Sequence, residues 1–148
     1  MEQEGKFKEN SEAVRAHLEI SQSVIQRMAA NSAASKAWCV SLVSAILVLV
    51  ADKGKPQFTY IAIIPTILFF ALDVHYLALE KMFRNSYNNF IHKLHKGKIT
   101  AEDLFAIKPA GHMPDAVNDA VKSFSIWPFY LTLLVMIWIT KKVVIAPN

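Results

Sequence analysis

Residues 37–72 read AWCVSLVSAILVLVA, then DKGKPQ, then FTYIAIIPTILFFAL. Two uncharged apolar runs of 15 residues each, Ala37 to Ala51 and Phe58 to Leu72, flank a short turn that holds Lys53, Gly54, Lys55 and Pro56. A lipid hydrocarbon core about 30 Å thick takes about 20 helical residues at roughly 1.5 Å each. Both runs are short by that measure, and both extend toward the same side. The first grows backward through Ala33, Ala34, Ser35 and Lys36, the second forward from Asp73 to Leu79. A third uncharged run, Ser123 to Thr140, has 18 residues. Three such runs in 148 residues, two of them without a polar face, argue for membrane spans over buried helices of a soluble domain.

The composition agrees. The chain is 53% hydrophobic and 19% charged, with a mean hydropathy of +0.28, whereas soluble domains carry about 25% charged residues. Disorder, collagen and a disulfide scaffold are excluded. The single cysteine, Cys39, cannot form an intramolecular disulfide and reads as a small buried residue of the first span. The first 36 residues hold ten charges and no apolar run begins there, so a retained anchor is expected in place of a cleavable signal peptide. Twelve of the 16 Lys and Arg residues fall in 1–36 and 80–122, four in the turn and the tail. The positive-inside rule then places the amino terminus and 80–122 in the cytoplasm, and the turn and carboxyl terminus outside. The net charge of +4 is a topology signal; no nucleic-acid motif accompanies it.

The expected fold is an all-α integral membrane domain over 1–148. A cytoplasmic amphipathic helix occupies 1–36, its first ten residues polar and frayed. Spans at 37–51, 58–79 and 123–140 alternate with an external turn at 52–57, a cytoplasmic helical region at 80–122 and an external tail at 141–148. Helix 1 runs unbroken from Ser11, a possible N-cap, to Ala51, because no Gly or Pro lies between Gly5 and Gly54. His17, Ser21, Val24, Met28, Asn31, Ser35, Trp38 and Leu42 form its expected packing seam. Helix 2 is expected from Phe58 to His95, mildly kinked at Pro65 and ended by Gly97. Thr100-Ala-Glu-Asp103 resembles a capping box with aspartate in place of glutamate, opening a short helix to Ile107. Pro114 and Asp115 open a third helix that enters the membrane past a kink at Pro128, with Trp127, Phe129 and Tyr130 as interfacial aromatics.

The chemically informative segment follows the second apolar run. Asp73, Tyr76, Glu80, Arg84 and Tyr87 are spaced by 3, 4, 4 and 3 residues and share one helical face. Glu80 and Arg84 can pair along the helix. Asp73 cannot, because Leu77 is its i+4 neighbour, and a bare carboxylate near an apolar run costs on the order of 3 kcal/mol at mid-bilayer. Folding helices 1 and 2 into an antiparallel hairpin about the turn supplies a partner. Lys36 falls level with Asp73, Arg27 within a turn of Glu80, and Asn31 between them. This polar seam either fixes the register of the hairpin, or lines an ion or proton path, or acts as a latch. Catalysis has no support, since no nucleophile, phosphate loop or metal set accompanies the seam, and neither an enzyme nor a cofactor is expected. His92 and His95 supply too few ligands for a metal. Ser32, Ser35, Ser41 and Ser44 are spaced for close helix contact.

Two stretches resemble a family of short bacterial multi-pass membrane proteins of unassigned activity. One is HLEISQSVIQRMAANS at His17 to Ser32, continuing to Lys36-Ala-Trp38; the other is Pro65 to Phe70 followed by LDVHYLALEKMFRNSY at Leu72 to Tyr87. The resemblance covers about residues 14–90. It implies a bacterial inner-membrane protein of the kind found among mobile elements and defence islands. The expected function is an oligomerising effector, of defence or toxin type, that perturbs or permeabilises the inner membrane. The alternatives are a passive anchor presenting cytoplasmic helices to a partner, and a small oligomeric channel or transporter. Expected partners are the lipid bilayer, further copies of the chain and a cytoplasmic protein, and not nucleic acid.

Overall fold

The computed structural model describes residues 11–145; the polar lead at 1–10 and the last three residues of the tail lie outside them. The described residues form helices joined by turns and loops, with no strand. In chain order they form α1 (Glu12–Lys53), a 3-10 segment (Pro56–Ala62), α2 (Ile63–His95), α3 (Ala101–Phe105), α4 (Met113–Val121) and α5 (Trp127–Ile145). Two helices, α1 and the 3-10 segment continued by α2, are long and apolar enough to cross a membrane.

The ends of α1 follow from its sequence. Ser11 Oγ accepts the Val14 N–H at 3.4 Å, and Glu12 sits in the first turn, where the helix dipole favours an acid. Gly54 stops the helix at φ 59°, a left-handed conformation open to glycine, and its N–H returns to Ala51. The buried stripe of α1 is Val14, His17, Ser21, Ile25, Met28, Ser32, Ser35, Cys39, Val43, Leu47 and Val50, ten intervals over 36 positions. That is the 3.6-residue period of a straight helix. The heptad-like seam expected from sequence drifts away from it. His17, Ser21, Met28 and Ser35 are buried as expected, but Val24 and Asn31 are displaced to the flank, and Trp38 and Leu42 face outward.

Proline sets the other departures. Pro65 produces no kink inside a long helix. It stands third in α2, where its missing N–H has no intrahelical role, and its ring opposes an α-helical carbonyl at Ile61. The chain before it accordingly winds as a 3-10 segment. Pro128 interrupts the expected third helix instead of bending it. Residues 122–126 form a turn closed by Ser123 N–H to Ala120 and Ile126 N–H to Ser123, and α5 starts afresh at Trp127.

Contacts between α1 and α2 descend along α2 as they ascend along α1. His17 stacks on Phe90 with ring centroids 4.1 Å apart, Gln22 donates to the Tyr87 hydroxyl at 3.3 Å, and Lys36 meets Asp73. α5 lies against the same pair, with Tyr130 edge-on to Phe70 at 5.1 Å and Lys141 touching the Tyr60 hydroxyl. One core, at the level of the apolar runs, joins Cys39, Val43 and Leu47 to Ala62, Val74 and Ala78 and to Ile126, Tyr130, Leu133 and Ile137. A second, at the far end, joins Val14, Phe90, Leu94 and Ile99.

The short α3 is pinned to that far end. His17 Nδ1 lies 3.1 Å from the Leu104 carbonyl, and Lys93 pairs with Asp103 at 2.7 Å. Asp103 also closes the capping box read from the sequence, accepting from the Thr100 N–H and hydroxyl. The Lys93 hydrogen bond outweighs the opposing effect of burial and, with those of Thr100, holds the Asp103 carboxyl below the usual carboxylate range. A depressed folded value means that the stabilisation is complete above the ordinary carboxylate pKa and is lost as pH falls through the folded one. Asp103→Ala should therefore speed hydrogen exchange of residues 101–105 several-fold at pH 6, the effect of losing a cap worth about 1 kcal/mol. The gap from the parent should close as the parent is acidified. An unchanged rate at pH 6 would show that the box is ornamental.

Candidate functional site

The site is built where α1, α2 and α5 meet, at the inner edge of the apolar runs. Asp73 of α2 is fully buried, and the side chain of Lys36 on α1 is 19% exposed. The Lys36 ammonium straddles the carboxylate, 2.7 Å from Oδ1 and 2.6 Å from Oδ2. The second approach lacks hydrogen-bond geometry, so Oδ2 holds charge contact without a donated proton. Ser32, one helical turn before Lys36, donates to Oδ1 at 2.5 Å, and Lys36 reaches the same hydroxyl at 3.4 Å. Lys36, Asp73 and Ser32 thus form a closed triangle between two helices.

Around it lie groups that the expected polar seam did not include. Tyr130 of α5 is an interior residue, 3% exposed, and not an interfacial aromatic. Its buried hydroxyl lies close to Asp73, but no well-formed hydrogen bond joins them. Cys39 is buried beside Thr66 and also senses Asp73. Thr66 itself is satisfied by the Ala62 carbonyl at 2.8 Å, and Ser35 by Asn31 at 2.9 Å. A sequence signal for Ser32 and Cys39 existed. They and Ser35 are small, whereas the expected seam placed the bulky Trp38 where two helix backbones come close.

The other members of the expected seam divide. Glu80 pairs with Arg84 within α2, both contacts at 2.8 Å, and Glu80 is the more buried partner. Arg27 is exposed and joins no ion pair with Glu80, which Arg84 already holds. Asn31 contributes its carbonyl. Tyr76 is half-buried, its ring 5.9 Å from that of His75. Tyr87 is tied to Gln22. So the structure joins Lys36 and Asp73 across helices, and leaves the remaining polar contacts local or peripheral.

A polar cleft of about 520 Å³ opens beside α2 between Arg84, Asn88 and the start of α4. Most of its charged side chains have local partners. Lys81 donates to the Asp119 carbonyl at 2.8 Å, Arg84 holds Glu80, and His112 stands 3.4 Å from Asp115. Among the described residues no three His, Cys, Asp or Glu side chains gather as metal ligands. What the Lys36–Asp73–Ser32 triangle can do chemically is hold two helices in one register in a low-dielectric setting, and release them if one partner leaves. Comparison of the chain with protein-family models, with curated proteins and with solved structures gave no match.

Proposed function

We propose that this chain is an integral protein of the bacterial inner membrane that oligomerises and perturbs or permeabilises the bilayer, an effector of defence or toxin type. In this reading 37–51, 58–79 and 123–140 cross the membrane, and α1 and α2 serve as an antiparallel hairpin with cytoplasmic extensions. The amino terminus is cytoplasmic and the carboxyl terminus external. The supporting observation is an outward apolar belt around a polar interior. Among the described residues, every exposed large apolar side chain except Ile20, Phe105 and Phe124 lies in 38–72 or 127–143. A core helix of a soluble protein is mostly buried, yet only 28% and 33% of the most apolar stretches of the two long helices is covered. Lipid is the solvent that accepts such a surface. Ala33, Ala37, Ser41 and Ala45 also face outward at four-residue spacing, a stripe on which helices from two copies can pack closely. The resemblance of residues 14–90 to short bacterial membrane proteins points the same way.

The passive-anchor reading draws on one observation, the almost bare Phe105 ring at the folded far end. Expression of the full chain in a bacterium separates the two. The effector should depolarise the inner membrane and arrest growth, while reporters fused to the two ends read inside and outside. A correctly inserted chain that leaves the membrane potential intact at high level would sink the effector reading and favour the anchor.

A further inference from the structure

We propose that α5 is a releasable cover over the polar triangle, and that its withdrawal presents Ser32, Lys36 and Asp73 to a second copy of this chain. The proposal rests on the effector reading, for which it supplies the step from closed monomer to oligomer. Asp73 owes its complete burial to three helices, and Tyr130 is the side chain that α5 lays beside it. That contact is left open. Both Asp73 Oδ2 and the Tyr130 hydroxyl are buried and no well-formed hydrogen bond joins them, so α5 lies against the charge without being firmly bonded to it.

The remaining inner face of α5 is apolar: Leu133 and Ile137, with Ile126 of the preceding turn, share one core with Cys39, Val43 and Val74. In lipid such packing has no hydrophobic drive, because acyl chains solvate these side chains equally well. α5 touches α1 and α2 far less than those two touch each other, and its main contact is with the 3-10 segment before α2. Its polar tie to their outer end is Lys141 against Tyr60. Its connection to α4 is the non-helical turn at 122–126, which lets α5 move while α4 stays packed on α2. Once α5 leaves, a carboxylate and an ammonium face lipid, which is costly, and the same surface of a second copy is the nearest polar partner.

The native Cys39 thiol reports the state of the cover, since it is fully buried in the same core. The full chain is reconstituted in phosphatidylethanolamine–phosphatidylglycerol vesicles and alkylated with N-ethylmaleimide. Chemical cross-linking of copies and release of an entrapped dye are followed in parallel. Tyr130→Ala, with parental helicity, should raise Cys39 alkylation by about tenfold or more, as truncating a buried aromatic shifts a local opening equilibrium. It should also raise the cross-linked fraction. Tyr130→Phe keeps the ring and removes only a hydroxyl without a well-formed hydrogen bond, so its alkylation should stay at or below the parental level. Tyr130→Ala that stays helical with Cys39 as protected as in the parent overturns the cover, as does exposure of Cys39 without added cross-linking. Should Tyr130→Ala fail to fold, Leu133→Ala decides, since it truncates another buried side chain of α5, and parental alkylation there overturns the proposal. Added alkylation and cross-linking without dye release keep the cover and overturn the effector reading. Dye release with Cys39 protected throughout does the reverse.

Discussion

Lys36→Ala should destabilise the helix bundle by about 3–5 kcal/mol, the cost of leaving one member of a buried ion pair without its partner. Asp73 is fully enclosed and would keep only the Ser32 hydroxyl. Asp73→Ala should cost less. The Lys36 side chain is already 19% exposed at the inner edge of the apolar belt, and its long stem can carry the ammonium outward to the headgroups. Removing both charges should recover much of the loss, because replacing a buried pair by apolar groups is often close to neutral. Thermal unfolding of the three variants in detergent, with cross-linking in membranes, measures this ordering. If the double variant recovers assembly and also the membrane phenotype, the triangle is a structural clamp. If assembly returns while the phenotype stays lost, the charges themselves take part in gating. Parental stability in all three variants would mean that the pair contributes nothing and both readings fail.

Ile67→Arg should prevent stable membrane insertion of a large part of the chain. Ile67 is exposed and lies near the middle of the proposed 58–79 span. Arginine at the centre of a spanning helix costs about 2.5–3.5 kcal/mol. Ile20→Arg is the matched control. Ile20 is about as exposed but sits on the extension of α1, where a surface substitution should change stability by no more than about 0.5 kcal/mol. The fraction of each variant that resists alkaline extraction from membranes gives the comparison. A soluble bundle predicts the opposite result, since replacing an exposed isoleucine by arginine would leave it folded and more soluble. Equal, extraction-sensitive behaviour of the two variants would overturn the membrane reading.

Much of the local structure was legible in the residues. Ser11, the absence of Gly and Pro up to Gly54, and the Thr100–Asp103 box mark helix ends through short-range hydrogen bonds and backbone freedom, and the helices begin or stop at those places. The level of Lys36 with Asp73 follows from counting outward from one short turn, because helical rise is nearly constant; the two meet at 2.6 Å. The faces of α1 were less legible. A difference of one tenth of a residue per turn accumulates along 42 residues, enough to turn Trp38 and Leu42 away from the contact and bring Ser32 and Cys39 into it. Pro65 and Pro128 were read as kinks in continuous helices. The structure places one at a 3-10 to α junction and the other just after a turn, since a proline can end a helix as readily as bend it.

What the sequence by itself determined is therefore the all-helical class, the two long apolar helices, their capping and the depth at which a buried carboxylate needs a cation. These are consequences of composition, of period and of bonds between near neighbours. Only the tertiary structure decided which side chains surround Asp73. Ser32 reaches it from α1, and Tyr130 lies beside it from α5, 57 positions away in the chain. The placement of α5 rests on side-chain packing between surfaces that are uniformly apolar in sequence. No periodic signal distinguishes the residue that faces a charge from the residue that faces lipid.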